Sequence, residues 1–198
     1  MKYIICQVLL FFCTISTSSF AQSTQIKHFN FNDTVFNSGD FHELGRDLPF
    51  MPRCWPSSND TTFKYLDSFV SLLLKNQCII KIEIAVYTDN RRIPLTKDTL
   101  SKRMAEGLKD YLILQGVKSD RIEARGYGGN YPCVIEKDTL INYPLNIYNQ
   151  ECRETSVFLK KNSCLDDEFI KTFTDKCEKE IIYSLNRRVL LKILTVEK

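Results

Sequence analysis

The chain has 198 residues, 43% hydrophobic content and a formal net charge of +3 spread through mixed-sign sequence. That is enough apolar material for one core of ordinary size, and it lacks the concentrated basic face that nucleic-acid binding requires. Catalysis is also argued against: there is no Gly-x-Ser-x-Gly, His-Glu-x-x-His or phosphate loop, and the two histidines, His28 and His42, stand in no recognisable triad.

The first 21 residues carry Lys2, an apolar run from Tyr3 to Cys13, a polar stretch and then Ser19-Phe20-Ala21, the pattern of a secretory signal cleaved before Gln22. The run is too short to anchor the chain across a bilayer. Leu10-Phe11-Phe12 lacks the small residues that a lipidation site at Cys13 would need. Of eight cysteines, Cys6 and Cys13 fall in this leader and six remain: Cys54, Cys78, Cys133, Cys152, Cys164 and Cys177. An even count in an exported chain points to disulfides, in one of 15 pairings that sequence leaves open. No two of the six form a Cys-x-x-Cys pair, so a zinc site is not expected, and no other cofactor is called for.

Ile26 to Phe36 is expected to form a first strand, with Phe29 and Phe31 on one face. From Asn37 to Asn59, Gly39, Gly45, Pro49, Pro52 and Pro56 predict an irregular loop, stapled at Cys54 and anchored by Trp55. Asn59 or Asp60 is placed to cap a helix whose stripe is Phe63, Leu66, Phe69, Val70, Leu73 and Leu74. Ile80, Ile82, Ile84 and Val86 then alternate with Lys81, Glu83, Ala85 and Tyr87, the period of a strand with one face on a core. After Thr88-Asp89-Asn90, Thr96 is a candidate cap for a helix carrying Leu100, Met104, Leu108, Tyr111 and Leu112, which Gly116 would end. Arg121 to Arg125 reads as a second short strand. It is followed by Gly126-Tyr127-Gly128-Gly129, whose glycines lack the helix and downstream acid of a dinucleotide site.

Cys133 to Ser184 is less regular. Leu145, Ile147, Val157 and Phe158 mark candidate short strands, and Asp166 is placed to cap one helix with Phe169, Ile170, Phe173, Cys177 and Ile181 along a side. Asn186-Arg187-Arg188-Val189 leads a last strand in which Val189, Leu191 and Ile193 alternate with Leu190, Lys192 and Leu194.

Tyr87-Thr88-Asp89, Leu100-Ser101-x-x-x-Ala105, Gly116-Val117, Arg121-Ile122, Gly126-Tyr127-Gly128 with Pro132, and Asn186-Arg187-Arg188-Val189 occur in an order and at spacings that resemble the C-terminal domain of OmpA. This peptidoglycan-binding module is shared with peptidoglycan-associated lipoprotein and MotB. The resemblance implies an α/β fold, an OmpA-like two-layer sandwich with helices on one face of a mixed β-sheet. It also implies a single domain over 22–198, with a disulfide-bearing insertion at about 133–184 before the last strand. The expected function is non-covalent binding of the diaminopimelate-containing stem peptide of peptidoglycan in the periplasm. The alternative is a degenerate scaffold that binds another cell-envelope protein.

The side-chain end of diaminopimelate presents an ammonium and a carboxylate on one carbon, which calls for one anion and one cation a few ångströms apart. By the resemblance, Asp89, beside Thr88, takes the ammonium; the alternative reading of Asp89 is a turn or helix cap. The arginine that takes the carboxylate in the family corresponds to Met104 here, on the face of Leu100, while Arg103 lies about 100° around the helix. Lys97 stands where the family has Asn, Arg91-Arg92 where it has small residues, and Asn32 where it has an Asp at the pocket edge, unless Asn32 simply starts a turn. Losing one partner of a desolvated charge pair costs roughly 2 to 5 kcal/mol. Binding therefore needs a surrogate cation among Arg91, Arg92, Lys97 and Arg103, or else Met104 merely completes the apolar stripe. Arg187 is read as structural, holding the last strand to the helix layer.

Overall fold

The computed structural model describes residues 27–46, 60–91, 94–143 and 150–197. The expected signal, Cys54, Trp55, Arg92, Leu145 and Ile147 lie outside them, as do the side chains of Phe63, Thr96 and Lys97. A four-stranded sheet runs in the order β1-β6-β2-β3. It is built from β1 (Phe41–Arg46), β2 (Ile79–Tyr87), β3 (Ile122–Gly128) and β6 (Arg188–Val196). β6 is antiparallel to β1 and to β2, whereas β2 and β3 are parallel, so the sheet is mixed. Two helices, α1 (Asp60–Lys75) and α2 (Pro94–Leu114), connect β1 to β2 and β2 to β3. Their apolar stripes, Leu66, Phe69 and Leu73 on α1 and Ala105, Leu108 and Leu112 on α2, are buried in one cluster with Ile82, Ile84, Val86, Ile122, Leu191 and Ile193. Helices therefore cover one face of a mixed sheet, as the resemblance implied.

Three local expectations are corrected. The first strand is Phe41–Arg46, inside the stretch expected to be loop, and the stretch before it contributes only an isolated bridge between His28 and Phe41. Phe29 and Phe36 are buried nonetheless, because Asp33 accepts from the Asn30 N–H at 3.1 Å and the buried Asp40 from the Asn37 N–H at 2.8 Å, turning the chain back on itself. In β2 the register shifts around Lys81, so that Ile79 is buried and Ile80 exposed; a bulge resets the alternation at the strand's start. Helix α2 begins at Pro94, two residues ahead of the expected cap at Thr96, in keeping with the preference of proline for a first helical position.

Two glycines set the approach of β3 to its neighbours. Gly116, at φ +96°, ends α2 while the Val117 N–H donates to the Leu112 carbonyl at 3.0 Å. A Cβ at Gly126 would lie 2.1 Å from the Lys102 backbone nitrogen, so only glycine lets β3 pack against α2 at this point. The neighbouring Gly128 N–H donates to the buried Ser101 hydroxyl at 3.0 Å.

The insertion has a core of its own, in which Ile135, Tyr143, Val157, Leu159, Leu165, Ile170, Ile181 and Leu185 are buried together. It comprises a hairpin of β4 (Thr139–Asn142) and β5 (Ser156–Leu159) and two helices, α3 (Asp167–Lys171) and α4 (Lys176–Asn186). Asp166 caps α3 as expected, accepting from the Phe169 N–H at 2.9 Å. The single helix expected here is broken, because Asp175 caps a second one by accepting from the Cys177 and Glu178 N–H groups. Among the described cysteines one disulfide is formed, Cys152–Cys177, pinning the turn before β5 to the first turn of α4; Cys78 and Cys164 are thiols. The buried Asn186 accepts from the Cys133 N–H and donates to the Leu165 carbonyl, both at 2.8 Å, and so joins the start of the insertion to its end.

Candidate functional site

The C-terminal ends of β2 and β3 and the N-terminal end of β6 meet at one edge of the sheet. There the Thr88 N–H donates to the Gly128 carbonyl at 2.9 Å, and Gly129 packs so closely on the Asp89 backbone that a Cβ would come within 2.9 Å of its carbonyl oxygen. This holds Asp89 in place with 7% of its surface exposed.

The Asp89 carboxylate is already paired with cations of its own chain. Its Oδ1 accepts from the Arg91 N–H at 3.2 Å, and its Oδ2 accepts from Arg91 Nη2 and Arg187 Nη1, each at 2.7 Å. Both guanidiniums continue to Glu180 on α4, at 2.6 Å from Arg91 Nη1 and 2.8 Å from Arg187 Nη2. The Arg91 guanidinium also lies 4.2 Å from the centroid of the Tyr183 ring. The result is a neutral network of two acids and two arginines. Burial pushes the Asp89 carboxyl up, but the hydrogen bonds and charges of Arg91 and Arg187 outweigh it and hold the group below the ordinary carboxylate range. Burial likewise works against the Arg91 charge, and Asp89 and Glu180 more than restore it.

The other expected site residues are distributed as follows. Met104 is partly buried and packs against the main core, completing the stripe of α2. Leu100 is half-buried, and Arg103 is exposed on the helix surface. Asn32 sits exposed in a turn. Thr88 contributes a buried hydroxyl oxygen with no hydrogen-bond partner among the described residues. Arg187, read from sequence as a structural tie between the last strand and the helix layer, makes charge-assisted hydrogen bonds to Asp89 and to Glu180 on α4. Being the residue between α4 and β6, it lies where the helix meets the sheet edge and bonds to both. Glu180 and Tyr183 were not anticipated. They are 89 or more residues from the Asp89 loop in the chain, inside a segment without recognisable motifs, and only the packing of α4 brings them to it.

Next to this network, a cleft of about 310 Å³ opens between the sheet edge and the insertion. It is lined by Asn90, Gly129, Asn130, Pro132 and Asn186 on one side and Leu165, Asp166, Asp167 and Glu168 on the other. No helix among the described residues is long and apolar enough to cross a membrane.

Residues 59–140 match the model of the OmpA family. The chain is similar to the sodium-type flagellar protein MotY of Vibrio parahaemolyticus serotype O3:K6, with 28% identity over 110 residues; the match covers 54% of this chain and 38% of that relative's length. Among solved structures, it is similar to the peptidoglycan-associated lipoprotein from Burkholderia pseudomallei at 17% identity and a TM-score of 0.46, covering 75% of this chain and 89% of that one. It is likewise similar to the periplasmic domain of Helicobacter pylori MotB at 16% identity and a TM-score of 0.48, covering 81% and 76%.

Proposed function

From a chain that carries an OmpA-like domain, matched over residues 59–140, we propose a wall-binding role: non-covalent attachment to the diaminopimelate-containing stem peptide of peptidoglycan, in the periplasm. The observation that carries this reading is Asp89 itself. It is an ionised carboxylate fixed by the backbone at the edge of the sheet, and of its two arginine partners one is substantially exposed. An incoming ammonium can replace a guanidinium there without leaving the acid unpaired, so the exchange avoids the cost of a bare buried charge. The Thr88 hydroxyl beside it, which has no partner among the described residues, supports the same reading, because a buried polar group gains by acquiring a partner.

The test is sedimentation of the mature chain with insoluble peptidoglycan. Native protein should cosediment, and Asp89→Asn should lose about thirtyfold or more in affinity, as expected for removal of one member of a desolvated charge pair. Equal binding by the two forms would sink the proposal.

A second reading is favoured by the internal saturation of Asp89: the domain is a scaffold, and the insertion makes the contacts with another envelope protein. Leu140 and Phe158 face each other across the hairpin at 61% and 58% exposure, which gives such a contact an apolar centre. Under this reading native protein does not bind the wall, and binding appears only when Met104→Arg restores the family's arginine.

A further inference from the structure

Arg91 occupies the position at Asp89 that the stem-peptide reading assigns to the ligand's ammonium. We propose that Arg91 is the ligand's carboxylate partner, standing in for the arginine absent at position 104: on binding it leaves Asp89 to the ammonium and closes on the carboxylate borne by the same carbon. This inference rests on the wall-binding reading and names the residue that gives it selectivity for a zwitterion.

Four observations carry it. Arg91 is the more accessible of the two arginines on Asp89, with its side chain 41% exposed against 24% for Arg187. Its backbone N–H bonds to Asp89 Oδ1 independently of the guanidinium, so the residue stays tethered beside the acid when its side chain swings away. Arg187 lies 2.7 Å from Asp89 on its own account, so a swing of the Arg91 side chain leaves the carboxylate with a counter-ion, and one cation replaces another without change in the charge around it. Finally, among the described residues neither position 104 nor its neighbour supplies the cation to Asp89: Met104 is a neutral side chain packed on the core, and Arg103 is exposed on the surface of α2.

The insertion sets the strength of this exchange. Glu180 accepts from Arg91 at 2.6 Å and Tyr183 lies under its guanidinium at 4.2 Å, so α4 competes with the ligand's carboxylate for the same group. Weakening that competition should tighten binding. Because the Arg91–Glu180 pair is partly exposed, the gain is modest, about two- to fivefold.

The experiment is calorimetric titration of the full mature chain with two probes, meso-diaminopimelic acid and 1,5-diaminopentane, the second keeping both amines and lacking both carboxylates. Native protein should prefer the zwitterion by about tenfold or more, the scale of a charge-assisted carboxylate contact. Arg91→Ala should bind both probes about equally, and Glu180→Gln should bind the zwitterion about two- to fivefold tighter than native protein. Retained preference in Arg91→Ala, or weaker binding by Glu180→Gln, overturns the inference. Asp89→Asn separates it from its parent: loss of both probes there, with preference intact in Arg91→Ala, removes only the role of Arg91. Undiminished binding by Asp89→Asn removes the wall-binding reading, and no binding by any form removes both.

Discussion

At the level of single residues, the Asp89 network couples stability to pH. Its carboxyl is held below the ordinary range, so the folded state releases this proton more readily than the unfolded chain. The resulting stabilisation is fully present above the unfolded-chain value of ~3.9 and is lost as pH falls through the depressed folded value. Acid unfolding followed by circular dichroism should therefore steepen below about pH 4 in native protein and be flatter in Asp89→Asn. Thr88→Val makes the opposite kind of point. Replacing a buried hydroxyl that has no partner among the described residues by a methyl should leave the midpoint of thermal unfolding unchanged or raise it, by up to about 1 kcal/mol in stability. A fall of that size would mean that the hydroxyl has a partner in solution.

At the level of elements, the sheet edge that presents Asp89 depends on how closely β3 approaches α2. Gly126→Ala would drive a methyl into the Lys102 backbone, and no side-chain rotation can relieve a clash with main chain. It should cost about 3 kcal/mol or more, read as a lower urea midpoint at unchanged slope. The helix-free face of the same sheet is organised by a buried acid. Glu83 lies 3.0 Å from the Lys192 ammonium and accepts from the Tyr127 hydroxyl at 3.1 Å, while the rings of Tyr87 and Tyr127 stack at 4.9 Å. This explains how a strand that alternates in sequence is covered on both sides: Tyr87, Arg188 and Lys192 fold over the polar face, with the Arg188 guanidinium 4.0 Å from the Tyr87 ring.

At the level of the whole molecule, two apolar cores meet at the Asp89 network, and the one in the insertion carries the disulfide. Cys152 and Cys177 are 25 residues apart, a loop whose closure is worth about 3.5 kcal/mol. Replacing both by serine should lower amide-exchange protection in α4 and β5 well before it does so in β2. Equal loss in both regions would show that the two cores unfold as one. What could be read from the chain alone was what local periodicity and short motifs encode: the helices of the main layer, the central strand, the glycines around Gly126 and the candidate acid at position 89. Each depends on neighbours a few residues away. What only the tertiary structure decided was the company that acid keeps. Arg187 reaches Asp89, and Glu180 reaches the two arginines, because α4 ends against the edge where β2 stops, and no spacing in the sequence records a contact made by closing so long a loop. The charge of Asp89 and the nearby Arg91 were legible, but Arg187 and Glu180 were not, because electrostatic pairing depends on distance through space and not on separation along the chain.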